Sequence, residues 1–193
     1  MTEREKGLQR ERLLAKSRRL VIARGLQGVS VDDIVSAAGM AKGTFYHHFA
    51  SKESLLRELA WRMYQRFVGK AVRMIQGTPE ERMPDVLRAF FRSLISEPEP
   101  SFFLANHQEL ERVWGAGEKG AREFAEMELA ALEKLIMAAG LDTAAVSPAV
   151  VHNYLHAMYF ASTDGVMLPD ACPDALEALL GGLMAYMLRE GKQ

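Results

Sequence analysis

Between residues 41 and 56 the sequence AKGTFYHHFASKESLL gathers side chains that hold anions and read hydrogen-bonding edges: Lys42, Thr44, Tyr46, His47, His48 and Lys52. No nucleophile with a partnered base stands among them, so the chemistry on offer is recognition rather than bond making. On a helical wheel at about 100° per residue, Phe45 and Phe49 share an apolar face. Gly43, Thr44 and His47 fall opposite it, and Tyr46 and His48 lie on the flanks. A small residue beside a hydroxyl and an imidazole suits a surface lying in a major groove, where polar tips reach base edges or phosphates.

Lys42 and Lys52 each open a helix in this reading, where the partial positive charge of the helix end makes a cation unfavourable by roughly 0.3–1 kcal/mol. A phosphate at the same place would gain from the lysine and from the free backbone N–H groups. Exposed lysines often tolerate so small a cost, but two of them flanking one helix favour phosphate contacts.

The elements that must position these groups are helices. Apolar residues recur at three and four throughout, and no alternating strand pattern occurs. Leu13, Leu14, Ser17, Leu20 and Val21 form the inward stripe of a first helix that stops at Gly25. A second begins at VSVDDI, with Ser30 as cap, Asp33 at the capping-box position and a Val29–Ile34 staple. Gly39 ends it and a third starts near Lys42, giving a helix-turn-helix. Ser51 caps a fourth that runs to Gln76, a rod of about 37 Å. In GTPEERMPD a fifth helix is capped by Thr78 or starts nearer Met83, depending on what Pro84 does. SEPEPS (96–101) separates it from a sixth, and GAGEKG (115–120) separates that from a seventh ending at Gly140. Pro148 opens an eighth to about Met167 and Pro173 a ninth to about Glu190. The expectation is therefore an all-α chain of about nine helices.

Composition agrees with that class. The chain has 193 residues, 49% hydrophobic and 25% charged, enough for one large domain or two small ones. No apolar run approaches the roughly 18 residues that span a bilayer, and MTEREKGLQRER lacks the apolar core of a signal peptide. A cytoplasmic protein without membrane contact is expected, and the lone Cys172 reads as an inert thiol. Net charge is −1, but residues 1–75 carry 15 Lys/Arg against 7 Asp/Glu, a balance of +8, and residues 76–193 balance at −9. That asymmetry points to a polyanion-binding N-terminal part attached to something with a different task.

SVDDIVSAAGMAKGTFYHHFASKESLL, with the Gly25 stop before it, resembles the N-terminal signature of the TetR family of bacterial transcriptional regulators. The motif similarity covers about residues 10–60. It implies a three-helix DNA-binding domain (1–50) and a larger helical effector-binding and dimerisation domain (51–193), connected by helix 51–76. It implies DNA contacts at Lys42, Gly43, Thr44, Tyr46, His47, His48 and Lys52, and a phosphate contact near Ser30. Ala41 departs from the family, which often caps the third helix with serine here, and Val35 replaces the usual alanine between the second and third helices. The implied function is a dimeric repressor released from a double-stranded, palindromic operator by a small, largely apolar effector. A family activator, or a DNA-binding or architectural protein without an effector, remains compatible with the same residues.

The C-terminal half carries broad apolar stripes, Val150, Val151, Tyr154, Leu155 and Met158 on one helix and Leu176, Leu179, Leu180, Leu183, Met184 and Met187 on the last. Such stripes are usually core, and the resemblance assigns these last two helices to a homodimer contact. It also implies a pocket in this half. Candidate lining residues are Phe102, Phe103, Asn106, His107, Trp114, Met127, His152, Met158, Tyr159 and Ser162, of which the apolar ones equally suit a core. HNYLH places His152 and His156 four apart, the spacing of a zinc-protease pair, but Asn153 stands where that motif needs its glutamate. Neither a metal nor a cofactor is expected, and with no phosphate loop or paired acid and base an enzyme is not expected either.

Overall fold

The computed structural model describes residues 2–115, 118–163 and 172–190, and among these every regular element is helical. Ten α-helices follow in order: α1 (Glu3–Arg24), α2 (Val31–Ala38), α3 (Lys42–His48), α4 (Lys52–Gln76), α5 (Met83–Ser96), α6 (Pro98–Ala105), α7 (His107–Trp114), α8 (Glu118–Ala138), α9 (Pro148–Thr163) and α10 (Cys172–Glu190). A 3₁₀ turn at Glu80–Arg82 precedes α5. Of the two starts open to the fifth helix, the later one is taken, which leaves Pro84 in the first turn, where its missing N–H costs nothing.

Ten helices rather than nine arise from the segment after Glu97. The prolines of SEPEPS do not form a linker. Glu97 is extended (φ −98°, ψ 137°), α6 starts at Pro98, and the Ser101 N–H closes the first turn on the Glu97 carbonyl at 2.9 Å. Asn106, at φ −113° and ψ 20°, then interrupts the helix and α7 restarts from it. The end expected near Met167 and the side chain of Cys172 lie outside the described residues.

Packing divides the chain into two compact units. The first comprises residues 1–65 with 106–121, and the second 66–105 with 122–193. Compactness is thus not cut at residue 50. The first unit keeps the start of α4 and adds α7, tied in by Arg57 Nε donating to the Val113 carbonyl at 3.0 Å and by Gln27 Nε2 donating to Glu109 at 3.3 Å.

In the first unit Leu13, Val21, Ile34, Ala38, Phe45 and Leu55 are fully buried. Of the stripe expected on α1, Leu13, Leu14, Ser17 and Val21 are buried and Leu20 is half-buried. Across α1 and α4, Arg62 bridges Glu11 at 2.5 Å and Glu58 at 2.8 Å, Arg10 also pairs with Glu58, and the Arg10 guanidinium lies 4.5 Å from the Phe49 ring centre. Burial of Glu58 works against its charged form, but the two arginines outweigh it and hold the carboxyl below its usual range.

The second unit is built around Phe91, Leu132, Ile136, Val151, Leu155, Met158, Leu183 and Met187, contributed by α5, α8, α9 and α10. The last turn of α8 closes on Gly140 in the left-handed region (φ 73°), with Leu141 N–H reaching back to the Ile136 carbonyl at 3.1 Å. The loop after it is held by Tyr186, whose hydroxyl accepts from Ser147 N–H at 2.9 Å. Arg92 joins α5 to α10 through Glu177 at 2.7 Å. None of the described helices is long and apolar enough to cross a membrane.

Candidate nucleic-acid interface

The candidate interface is assembled by two short helices and the turn between them. Ser30 Oγ accepts the Asp33 N–H at 3.1 Å, and the Asp33 carboxylate returns to the Ser30 N–H at 2.9 Å, a complete capping box despite the short acid. The Ser30 hydroxyl and backbone N–H lower the Asp33 pKa, partial burial opposes them weakly, and Arg24 at 3.2 Å assists. Val29 and Ile34 are both buried, as a staple requires. Gly39 then turns the chain in the left-handed conformation (φ 62°, ψ 44°), where a side chain would be strained and a Cβ would sit 3.3 Å from the Arg12 guanidinium.

Helix α3 rests on Phe45 and Phe49, which are 0% and 3% exposed. Lys42, Gly43, Tyr46 and His47 are exposed on its outer side, with Thr44 half-buried beside them. Its N-terminus carries no side-chain cap, as Ala41 dictates. A Cβ built on Gly43 would meet nothing within 4 Å. Glycine in a helix costs about 1 kcal/mol relative to alanine, so nothing inside this unit explains its use here.

The two histidines separate. His47 projects outward, while His48 is half-buried with Nε2 3.2 Å from the Gln9 side-chain oxygen. Burial lowers the His48 pKa, and the nearby charges of His47, Arg10 and Lys6 push it the same way. Both lysines have partners inside the unit. Lys42 Nζ lies 2.9 Å from the Asp32 carboxylate, and that hydrogen bond and charge raise its pKa. Lys52 Nζ donates to the Val29 carbonyl at 3.0 Å, just before α2. The Ser30 hydroxyl is likewise engaged by its capping box, so all three candidates have structural work, Lys42 and Ser30 from exposed positions and Lys52 from a half-buried one.

Residues 13–59, which contain this whole surface, match the family of bacterial regulatory proteins of the tetR type. That match covers the helix-turn-helix part of the chain. Over 89 residues the chain is 35% identical to the HTH-type transcriptional repressor DhaR of Mycobacterium sp. (strain GP1), covering 45% of this chain and 43% of that repressor. The chain thus spans less than half the length of the curated relatives it matches. Likeness of fold runs further. A transcriptional regulator of the TerR/AcrR family from Aquifex aeolicus VF5 superposes with a TM-score of 0.60 at 23% identity, over 91% of this chain and 97% of its own. The fatty acid degradation regulator FadR of Bacillus halodurans gives 0.60 at 21% identity, over 93% and 94%.

The ten effector candidates are not gathered in one unit. Asn106, His107 and Trp114 count in the first unit, and Phe102, Phe103, Met127, His152, Met158, Tyr159 and Ser162 in the second. Met158 is fully buried in the core of the second unit, and Ser162 Oγ donates to its own helix at the Tyr159 carbonyl, 2.7 Å away. A cleft of about 520 Å³ in this unit is lined by Ile75, Met83, Pro84, Ala138, Leu141 and Leu188 among others, and none of the candidates borders it.

His152 and His156 stack with ring centres 4.2 Å apart on α9. Glu128 of α8 brings its carboxylate to 3.1 Å from His152 Nε2, and this bond raises the His152 pKa against the opposing effect of burial. Glu128 was invisible to sequence spacing because 24 residues and a helix reversal separate it from His152.

Proposed function

We propose that this chain is a dimeric transcriptional repressor of the TetR family that reads operator DNA with α3 and leaves it when a small, largely apolar effector binds the second unit. The observation that carries the reading is the outer side of α3. Lys42, Gly43, Tyr46 and His47 are exposed there, the helix is pinned by buried Phe45 and Phe49, and Gly43 keeps open a space that none of the described residues fills. A glycine at that place lets a DNA backbone or base edge approach closely. His47 and Thr44 then read bases, while Lys42, Lys52 and the α2 terminus at Ser30 hold phosphates, with Tyr46 and His48 on the flanks.

Dimerisation through α9 and α10 fits their outer residues. Val150 and Phe160 of α9 are exposed although large and apolar, and α10 exposes Ala178, Gly182 and Ala185. A two-fold dimer would set two reading helices on half-sites about 34–36 Å apart. Helix α4 contributes residues to both units, so effector binding in the second has a continuous element leading to the first. The effector acts by binding better to a state with poor DNA fit.

Selection of binding sites from a random DNA pool with the purified protein tests this reading. A short inverted repeat, with affinity falling steeply as salt rises, is the expected outcome. Enrichment of no sequence would leave a non-specific DNA-binding protein, and enrichment of a single unrepeated half-site would remove the dimer from the proposal.

A further inference from the structure

The second unit holds a cluster that DNA recognition does not use. Glu128 is one of two polar side chains fully withdrawn from solvent among the described residues, at 5% exposure. A carboxylate so placed needs positive charge close by. His152 and His156 supply two imidazoles from successive turns of α9, and one ligand atom from each of the three residues lies within 4.8 Å of the other two.

The hydrogen bonding around His152 sharpens the chemistry. Its Nδ1 lies 3.3 Å from Asn153 Oδ1, and its Nε2 lies 3.1 Å from Glu128 Oε2. If Nδ1–H donates to Asn153, neutral imidazole turns its Nε2 lone pair toward the carboxylate. Two acceptors at that distance require a cation between them, either a proton or a metal ion. Asn153, which spoils the zinc-protease pattern, here does what an outer partner of a metal-bound histidine does: it fixes the tautomer and the ring orientation.

We propose that Glu128, His152 and His156 form a binding site for a divalent transition-metal ion, with zinc the best fit, in the second unit. Two imidazoles and one carboxylate favour zinc and its neighbours over magnesium or calcium, which take oxygen ligands. Bond lengths of about 2.0–2.2 Å in a tetrahedral site put ligand atoms roughly 3.3 Å apart, so the cluster closes by side-chain rotation.

The test uses the full chain, stripped with chelator and titrated with Zn²⁺ by calorimetry and with Co²⁺ by visible absorption. Saturable binding of a single equivalent per chain, with an intense Co²⁺ band from low coordination number, is expected. Glu128→Gln, His152→Gln and His156→Gln should each weaken it at least about tenfold. Absence of saturable binding in the micromolar range overturns the site, and so does binding that all three variants leave unchanged. Should a variant fail to fold, as read by its circular dichroism melt, anomalous scattering from Zn²⁺-soaked wild-type crystals decides. A peak bonded to these three side chains supports the site, and a peak elsewhere or none rejects it. Neither outcome bears on DNA binding by the first unit.

Discussion

The Lys52 ammonium donates a 3.0 Å hydrogen bond to the carbonyl of Val29, so the first residue of α4 holds the backbone that enters α2. A lysine at a helix N-terminus opposes the helix dipole, and this bond, with the phosphate contact proposed above, would give that charge two reasons to be there. Lys52→Ala should therefore have two separable effects. Loss of the tether costs about 1 kcal/mol of stability in a denaturant melt. Loss of a phosphate contact lowers the slope of log affinity against log salt by about one unit. A slope that stays the same would leave Lys52 only its structural role.

Gly43 gives the cleanest opposition between folding and binding. Its added Cβ touches nothing, and alanine is a better helix former, so Gly43→Ala should raise stability by up to about 1 kcal/mol. If DNA approaches closely there, as proposed, the same methyl group should weaken operator binding by about tenfold or more, equivalent to about 1.4 kcal/mol. A variant that melts higher and binds DNA as well as the parent would refute close approach at this position.

The two histidines should behave differently on removal. His47 is exposed and His48 is half-buried against Gln9. His47→Ala should relax preference at particular base pairs, each worth about 1–3 kcal/mol if read directly. His48→Ala should weaken binding evenly across sequences by loosening α3 against α1. Comparing selected-site profiles of the two variants checks the assignment, and interchanged profiles would reverse it.

The difference in how much of this was legible has a physical cause. Ser30, Asp33 and Gly39 act within a few residues of themselves, so caps and turn could be read directly from the letters. Phe45 and Phe49 follow from one turn of helical periodicity. The partners of Lys42 and Lys52 could not be read that way, because Asp32 and the Val29 carbonyl come to them only through the fold. The same holds for Glu128 beside His152. The division at Asn106 carries no Gly or Pro to mark it, and Pro98 opens α6 where SEPEPS suggests a separator, because proline is well tolerated in the first turn of a helix.

Asp33 sets a pH dependence for the stability of the helix-turn-helix. Its folded pKa lies below the ordinary 3.8, chiefly because of Ser30, so the unfolded chain takes up the proton first as pH falls. Its stabilising contribution is complete above the ordinary value and is lost as pH drops through the folded one. Melting the protein from neutral pH down into the acid range should show this loss, and Ser30→Ala should diminish it by removing the hydroxyl that holds the carboxylate. An unaltered acid profile in that variant would place the cause elsewhere.

The dimer contact can be tested where substitution is harmless to the monomer. Gly182 on α10 is exposed, and a Cβ there would meet nothing within 4 Å. Replacing a helical glycine at such a site should not lower the stability of the folded chain, and it raises helix propensity. Yet if α10 packs against its copy through Ala178, Gly182 and Ala185, a long cation at the centre would hold the helices apart and bury an unpaired charge, costing several kcal/mol of association. Gly182→Arg should then sediment as a monomer at concentrations where the parent is a dimer, with an unchanged circular dichroism spectrum. Its affinity for a full palindrome should fall toward that for a half-site, because two linked reading heads gain from effective concentration what one alone cannot. A variant that remains dimeric with full operator affinity would move the interface off this face of α10.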